Sequence, residues 1–303
     1  MARHGYEWIS FTTDYGDQDG FTAACRGVIA RIAPDARVLD VTHGVPPQDV
    51  GRGAAVLAQT IGYLPPAVHL AVVDPGVGTD RRGVAVLAGD SVLVGPDNGL
   101  LVPAATALGG PRGAYELTEP GYRLPVVSRT FHGRDVFAPA AAHLAAGVPP
   151  ERLGPAVDPA TLARLPVPVT RVGAGMVDTE VATVDRYGNV QLDATAADLA
   201  RAGLASSASS AGAIGPAGPD GPDRLSVHLP DRTVEAVLGE VFADAEPGRV
   251  VVLVDSAGRA AVAVRDGSAA ARLRLGVGDR VRLEARGGPP GPKPRPKPRL
   301  PGP

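Results

Sequence analysis

Between Val72 and Val86 the chain reads VVDPGVGTDRRGVAV. A short apolar run stops at Asp74, a Pro-Gly-Val-Gly turn follows, Asp80 and two arginines come next, and a second apolar run begins. A buried strand that ends in an acid suits an open α/β sheet, where ligands bind at the carboxyl ends of strands. The glycines let backbone approach a ligand closely. The loop lacks the spacing and the terminal Lys-Ser/Thr of a phosphate-binding loop.

Working outward, strand-like and helix-like segments alternate through the first half of the chain. Ile9–Thr12 reads as a strand ending just before Asp14, and Asp19–Ile32 has apolar residues at helical spacing, stopped by Pro34. Arg37–Val41 reads as a strand, Asp49–Ile61 as a helix and Val68–Val73 as a buried strand. Val84–Leu87 and Val92–Val94 read as a hairpin, and Asn98–Leu108 and Asp135–Ala146 as helices. This alternation predicts an α/β domain with a central, mostly parallel sheet over residues 1–167.

After a linker at Pro166–Thr170 the pattern changes to short β-rich runs, at Gly175–Val184, Leu225–Leu229, Val250–Val254, Ala260–Val264 and Asp279–Glu284. A small β-barrel or sandwich is expected over residues 168–286. It is interrupted by a low-complexity stretch at 205–223 that reads as a mobile loop. The Pro-rich segment 287–303 reads as a disordered tail with polyproline-II character.

The 303 residues carry a formal net charge of −2. The tail alone holds four cations and no acid, which leaves 26 basic against 32 acidic residues elsewhere. That balance argues against a nucleic-acid binder. The single cysteine, Cys25, excludes an internal disulfide and a cysteine zinc site. No run approaches the ~18 apolar residues of a membrane span, and no apolar signal core follows Met1. A cytoplasmic protein, binding neither nucleic acid nor membrane, is expected.

Taken singly, the polar residues at strand ends are turn or cap residues. Asp14 follows one strand and Asp74 another. His132 lies in SRTFHGRDVF, and VDRYGN, Val184–Asn189, is a hairpin turn by composition. Ser256 and Gly258 sit in a turn between two strands.

In this order the pieces FTTDYG, VVDPGVGTDRR, GPDNGLL, TFHGRDVFAPAAAHLA, VDRYGN and DSAGRAAVAV are recognisable. The sequence resembles the S-adenosyl-L-methionine (SAM) hydroxide adenosyltransferases, or adenosine-forming SAM hydrolases, relatives of the fluorinase and chlorinase enzymes. The resemblance runs from about Ser10 to Glu284. It implies an N-terminal α/β domain joined to a C-terminal β-barrel, and a homotrimer with SAM held between neighbouring subunits. It implies that SAM is the substrate and that no cofactor is used.

The resemblance places a catalytic Asp-Arg-His triad on Asp74, Arg81 and His132, and a ribose-gripping acid on Asp14. It places substrate contacts on Asp185, Asn189, Ser256 and the backbone around Val264. Ala261 stands where many such hydrolases carry Glu, Arg259 where an apolar or aromatic residue is usual, and Gln48 where the halogenases have an aromatic wall. The implied reaction breaks the C5′–S bond of a sulfonium, so methionine leaves without help from an acid, and the demand falls on the water. Asp74 can accept from that water, whereas Arg81 stays charged and can act only electrostatically. His132 can be base or relay.

Two rival readings are a chlorinase-like halogenase and a non-catalytic SAM or adenosine sensor. Against the first, Asp74 and His132 stand where the halogenases carry tyrosines, Val77 replaces the fluorinase threonine, and a carboxylate repels halide. Against the second, a sensor needs only Asp14 and the YGN turn, not the triad.

Overall fold

The computed structural model describes residues 5–205 and 224–286. The chain divides into two compact units, Met1–Pro166 and Val167–Pro303. The low-complexity stretch, apart from Ala205, and the Pro-rich tail lie outside the described residues.

The first unit runs β1 (Trp8–Thr13), α1 (Phe21–Ile32), β2 (Arg37–Thr42), α2 (Val50–Thr60), β3 (Val68–Val72), β4 (Gly83–Ala88), β5 (Ser91–Pro96), α3 (Val102–Ala107), β6 (Pro111–Glu116), α4 (Ala138–Ala145) and β7 (Ala156–Val157). Its sheet has the order β2-β1-β3-β5-β4-β6-β7. Five of the seven strands point one way; β4 and β7 run against them. The expected hairpin is β4–β5.

Burial explains why the central strands are apolar throughout. Every residue of β3 is buried. Leu70 and Val72 pack with α1 and α4 residues such as Ile29 and Ala141. Ala71 and Val73 pack on the other face with Leu57 of α2 and Ala104 of α3. Helices therefore cover both faces, which demands hydrophobic residues at both parities of a strand. The one polar residue of β3, His69, bonds Ser10 Oγ at 2.8 Å. Burial pushes its pKa down to about 4, so it is a neutral core residue.

Two helices depart from expectation. α3 begins at Val102 rather than Asn98 because Asn98 spends its side chain on the turn: Nδ2 donates to the Val73 carbonyl at 2.8 Å and Oδ1 accepts from Leu100 N at 3.2 Å. The helix expected from Asp135 opens instead with a π-helical turn over Gly133–Phe137, followed by α4.

The second unit runs β8 (Arg171–Gly173), β9 (Met176–Val184), β10 (Val190–Thr195), α5 (Ala196–Arg201), β11 (Arg224–His228), β12 (Thr233–Leu238), β13 (Val250–Val254), β14 (Arg259–Val264), α6 (Ala269–Leu273) and β15 (Arg280–Ala285). Seven of its strands close a ring, β10-β14-β13-β12-β11-β15-β9, through the β9–β10 pairing. Closure leaves no edge within the ring. Residues of β9 alternate strictly between buried and half-buried. The buried set joins Val190, Leu192, Val227, Val252, Val262 and Leu283 in one core. Among the described residues no helix is long and apolar enough to cross a membrane.

β3 and β5 approach closely at Gly95, where an added Cβ would lie 2.2 Å from the Ala71 carbonyl oxygen. Gly95→Ala should cost about 1–3 kcal/mol through this overlap, read as a lowered Tm by calorimetry. An unchanged Tm would contradict the close strand approach.

Candidate active site

β1 and β3 are parallel neighbours, with Thr13 opposite Val72. The acids that follow, Asp14 and Asp74, therefore leave the sheet at the same carboxyl edge. Beyond Asp74 the chain tightens through Val77 N to Asp74 O (3.2 Å), Thr79 N to Gly76 O (3.2 Å) and Thr79 Oγ1 to Gly76 O (2.7 Å). Gly78 has φ +79°, and a Cβ there would meet the Arg129 carbonyl oxygen at 2.5 Å. Only glycine lets this loop pack against the segment that carries His132.

The loop delivers Arg81 to two partners. Its Nε donates to Asp74 Oδ1 at 2.8 Å and its Nη2 donates to Asp74 Oδ2, a bidentate pair. Nη2 also donates to His132 Nδ1 at 2.9 Å. The Arg81 and Asp74 side chains are only 12% and 6% exposed. The Phe137 ring backs the guanidinium at 5.0 Å. Asp74, Arg81 and His132 thus form one hydrogen-bonded unit. Arg82, next in sequence, turns elsewhere, to Asp97 at 2.6 Å and the Thr161 carbonyl.

This arrangement assigns protons. Arg81 can only donate, so His132 Nδ1 must accept, and the neutral ring carries its hydrogen on Nε2. Burial, then the Arg81 charge, push the His132 pKa below 6.5, with Asp74 and Asp135 opposing. The free ring nitrogen is therefore a donor near neutrality. Each Asp74 oxygen takes one Arg81 bond and keeps a further lone pair, so Asp74 is the acceptor of the unit.

His132 owes its place to Asp135, a fully buried acid one turn on. Asp135 Oδ2 accepts from Ser128 N at 2.8 Å, Arg134 bonds both carboxylate oxygens at 2.6 and 3.0 Å, and the Asp135 carbonyl accepts from Leu124 N at 2.9 Å. These bonds tie the 124–132 segment to the π-helical turn, a geometry frequent at functional sites.

Asp14 is fixed through backbone. Its Oδ2 accepts from Gln48 N at 2.8 Å, and Gln48 adopts φ +66° to present that N–H. Tyr15 is a site residue that the sequence analysis did not name. It packs edge-on against Phe131 with ring centroids 5.6 Å apart. A Cβ on Gly133 would lie 2.0 Å from its hydroxyl, so Tyr15 fills the space over Gly133. Burial, then the charges of Cys25, Asp14 and Asp74, raise the Tyr15 pKa, and it stays a protonated donor. The available signal was an aromatic residue directly after an acid at a strand end.

In the second unit, Asp185 holds the YGN turn: Oδ1 accepts from Tyr187 N at 2.9 Å and Asn189 N at 2.8 Å, and Oδ2 from Asn189 Nδ2 at 2.7 Å. Gly188, at φ +82°, packs on Ser268, where a Cβ would meet Oγ at 2.0 Å. Ser256 is exposed in the β13–β14 turn, which Asp255 caps by accepting from Ala257 N at 2.9 Å and Arg259 N at 3.1 Å. Val264 buries its side chain in the barrel core, and its carbonyl accepts from Gly267 N at 3.2 Å. Arg259 pairs with Asp193 at 2.5 Å, which accounts for a cation at that position. Among the described residues no group of three His, Cys, Asp or Glu side chains could hold a metal ion.

Residues 9–154 match the family model of the SAM hydroxide adenosyltransferase N-terminal domain, and residues 179–282 match that of its C-terminal domain. The chain belongs to the SAM hydroxide adenosyltransferase family. It is 55% identical over 278 residues to a protein of Salinispora arenicola named (R)-S-adenosyl-L-methionine hydrolase, covering 92% of this chain and 98% of that one. A fluorinase of Actinopolyspora mzabensis is 28% identical over 303 residues, covering 91% and 96%. A crystal structure of an uncharacterised conserved protein from Thermotoga maritima superposes with a TM-score of 0.80 at 32% identity, covering 91% of this chain and 99% of that one.

The Arg81–His132 bond can be tested without substrate. In an NMR titration His132 should protonate below pH 6.5, and Arg81→Met should move the midpoint up by removing a lowering charge while Asp74 remains. An unmoved midpoint would contradict the contact.

Proposed function

We propose that the protein hydrolyses SAM to adenosine and L-methionine, by attack of one water on ribose C5′ in line with the C5′–S bond. The observation that carries this reading is the single hydrogen-bonded unit of Asp74, Arg81 and His132 at the sheet edge that also bears Asp14, in a chain of this family. The water oxygen forms a bond to C5′ while the C5′–S pair passes to sulfur, giving a neutral thioether. The water proton passes to Asp74 and then to solvent. The sulfonium is already an activated leaving group, so no further cofactor is needed.

Asp74 is the acceptor for the water in this reading, because the Arg81 bond commits His132 to donating at Nε2. His132 then donates to the attacking oxygen and fixes its direction, and Arg81 stabilises the hydroxide-like charge. Positioning of this kind can supply up to about 7–11 kcal/mol of the acceleration. Asp14 accepts from the vicinal ribose hydroxyls. From the barrel, Asn189, held by Asp185, together with Ser256 and the Val264 backbone, contact the rest of the ligand. We place these two sets of residues in one site between neighbouring subunits of a homotrimer, acting in the cytoplasm. The sulfonium epimer is taken to be (R), following the name of the Salinispora relative.

Turnover in oxygen-18 water with excess chloride tests the reaction. Label in the adenosine 5′-hydroxyl and none in methionine is expected, with the (R) epimer consumed first from a mixture. 5′-Chloro-5′-deoxyadenosine as main product would overturn the proposal in favour of a halogenase, and intact SAM in favour of a sensor.

Asp74→Asn should lower kcat by about 10²–10⁴-fold with SAM binding retained by calorimetry. Equal losses in both would refute a role in the chemical step. Protonation of His132 would turn Nδ1 into a donor facing Arg81. Turnover should therefore fall as pH drops through a midpoint below 6.5 and stay flat above it. An acid limb unchanged in His132→Gln would assign that limb to another group.

A further inference from the structure

A second polar chain lies behind the Asp14 loop. Thr13, the last residue of β1, is fully buried, and its Oγ1 lies 2.8 Å from His43 Nδ1. His43 Nε2 lies 3.0 Å from Asp40 Oδ1, on the neighbouring β2, and Asp40 Oδ2 accepts from Arg26 of α1. Thr13 Oγ1 also accepts from Tyr15 N at 3.2 Å, and the His43 carbonyl accepts from Gly16 N at 2.8 Å. The His43 and Phe11 rings meet edge to face, centroids 4.8 Å apart. His43 thus grips the 13–16 turn from two sides, through its ring and through its carbonyl.

The direction of each bond follows from the groups. Burial opposes charge on Asp40, but the bonds from Arg26 and His43 outweigh it and hold its pKa below the ordinary carboxylate value. An ionised carboxylate only accepts, so His43 Nε2 carries the hydrogen; in the tautomer with Nδ1 bare, the Thr13 hydroxyl donates to it. The hydroxyl lone pairs are then left for Tyr15 N–H. The three groups resemble a nucleophile–base–acid set, but Thr13 is buried and engaged on both sides, so it is no nucleophile.

We infer that Asp40, His43 and Thr13 form a positioning relay that sets the Asp14–Tyr15 turn, and hence the grip on the ribose hydroxyls. The inference rests on the proposed role of Asp14. It adds three residues, none of which touches the reacting atoms. Thr13 is the last β1 residue before Asp14, so a shift of its side chain moves the carboxylate away from the Gln48 N–H.

The test compares wild type, Asp14→Ala, Thr13→Val, His43→Leu and His43→Gln on SAM and on SAM lacking the ribose 2′-hydroxyl. Wild type should prefer the hydroxylated substrate in kcat/KM, and Asp14→Ala should lose that preference. Thr13→Val and His43→Leu should each lose about tenfold of it or more, through KM rather than kcat, and together should do no more than either alone. His43→Gln, which keeps a donor and an acceptor, should retain most of it. Preference kept in both relay variants, with Asp14→Ala defective, would overturn the relay. Preference kept in Asp14→Ala would overturn the ribose role instead. The relay is then judged by amide exchange at Tyr15 and Gly16, which must quicken in His43→Leu and in Thr13→Val. Unchanged exchange there would refute it whatever Asp14 does.

Discussion

The Asp74–Arg81–His132 unit is organised around one guanidinium. Arg81 spends one edge of its planar fork on both oxygens of Asp74 and uses the second Nη2 hydrogen for His132. No lysine could do this, because a point charge lacks the fork. One cation thereby aligns an acceptor and a donor, adds to the burial that keeps the imidazole neutral, and fixes its tautomer. In the proposed reaction those are the requirements for holding one water with a chosen lone pair toward carbon.

The fold supplies what the guanidinium cannot. Adjacent parallel strands bring Asp14 and Asp74 to the same edge because Thr13 and Val72 are in register. Glycine at 78 lets the Asp74 loop press against the Arg129 carbonyl, and glycine at 133 leaves room for the Tyr15 hydroxyl. The buried carboxylate of Asp135 ties down the segment that ends at His132. The site is thus framed by backbone geometry and by buried polar bonds behind it.

The helices and strands of the first half were legible because periodicity is a local property and the core enforces it. The start of α3 was not, since Asn98 is diverted by a carbonyl 25 residues away. β6 opens on proline and contains a glycine, so nothing in PRGAYE announces a strand. At the site, Arg81 and His132 are 51 residues apart and carry no common spacing. They were legible only as ordered motifs of a known family. The Asp40–His43–Thr13 chain and the Tyr15–Gly133 packing were not legible at all, because the first depends on strand neighbours that periodicity does not pair and the second on a loop meeting a helical turn far along the chain. Arg259, an apparent departure from the family pattern, is explained by Asp193 across the β10–β14 pair.

The proposed reaction depends on where one water stands. A crystal structure of the Asp74→Asn variant with SAM bound tests it most directly. It should show an ordered water within about 2.6–3.2 Å of the residue 74 side chain and of His132 Nε2, about 3–3.5 Å from C5′ and opposite the sulfur. A C5′ facing away from Asp74, Arg81 and His132, or a sulfur lying between C5′ and that unit, would contradict it.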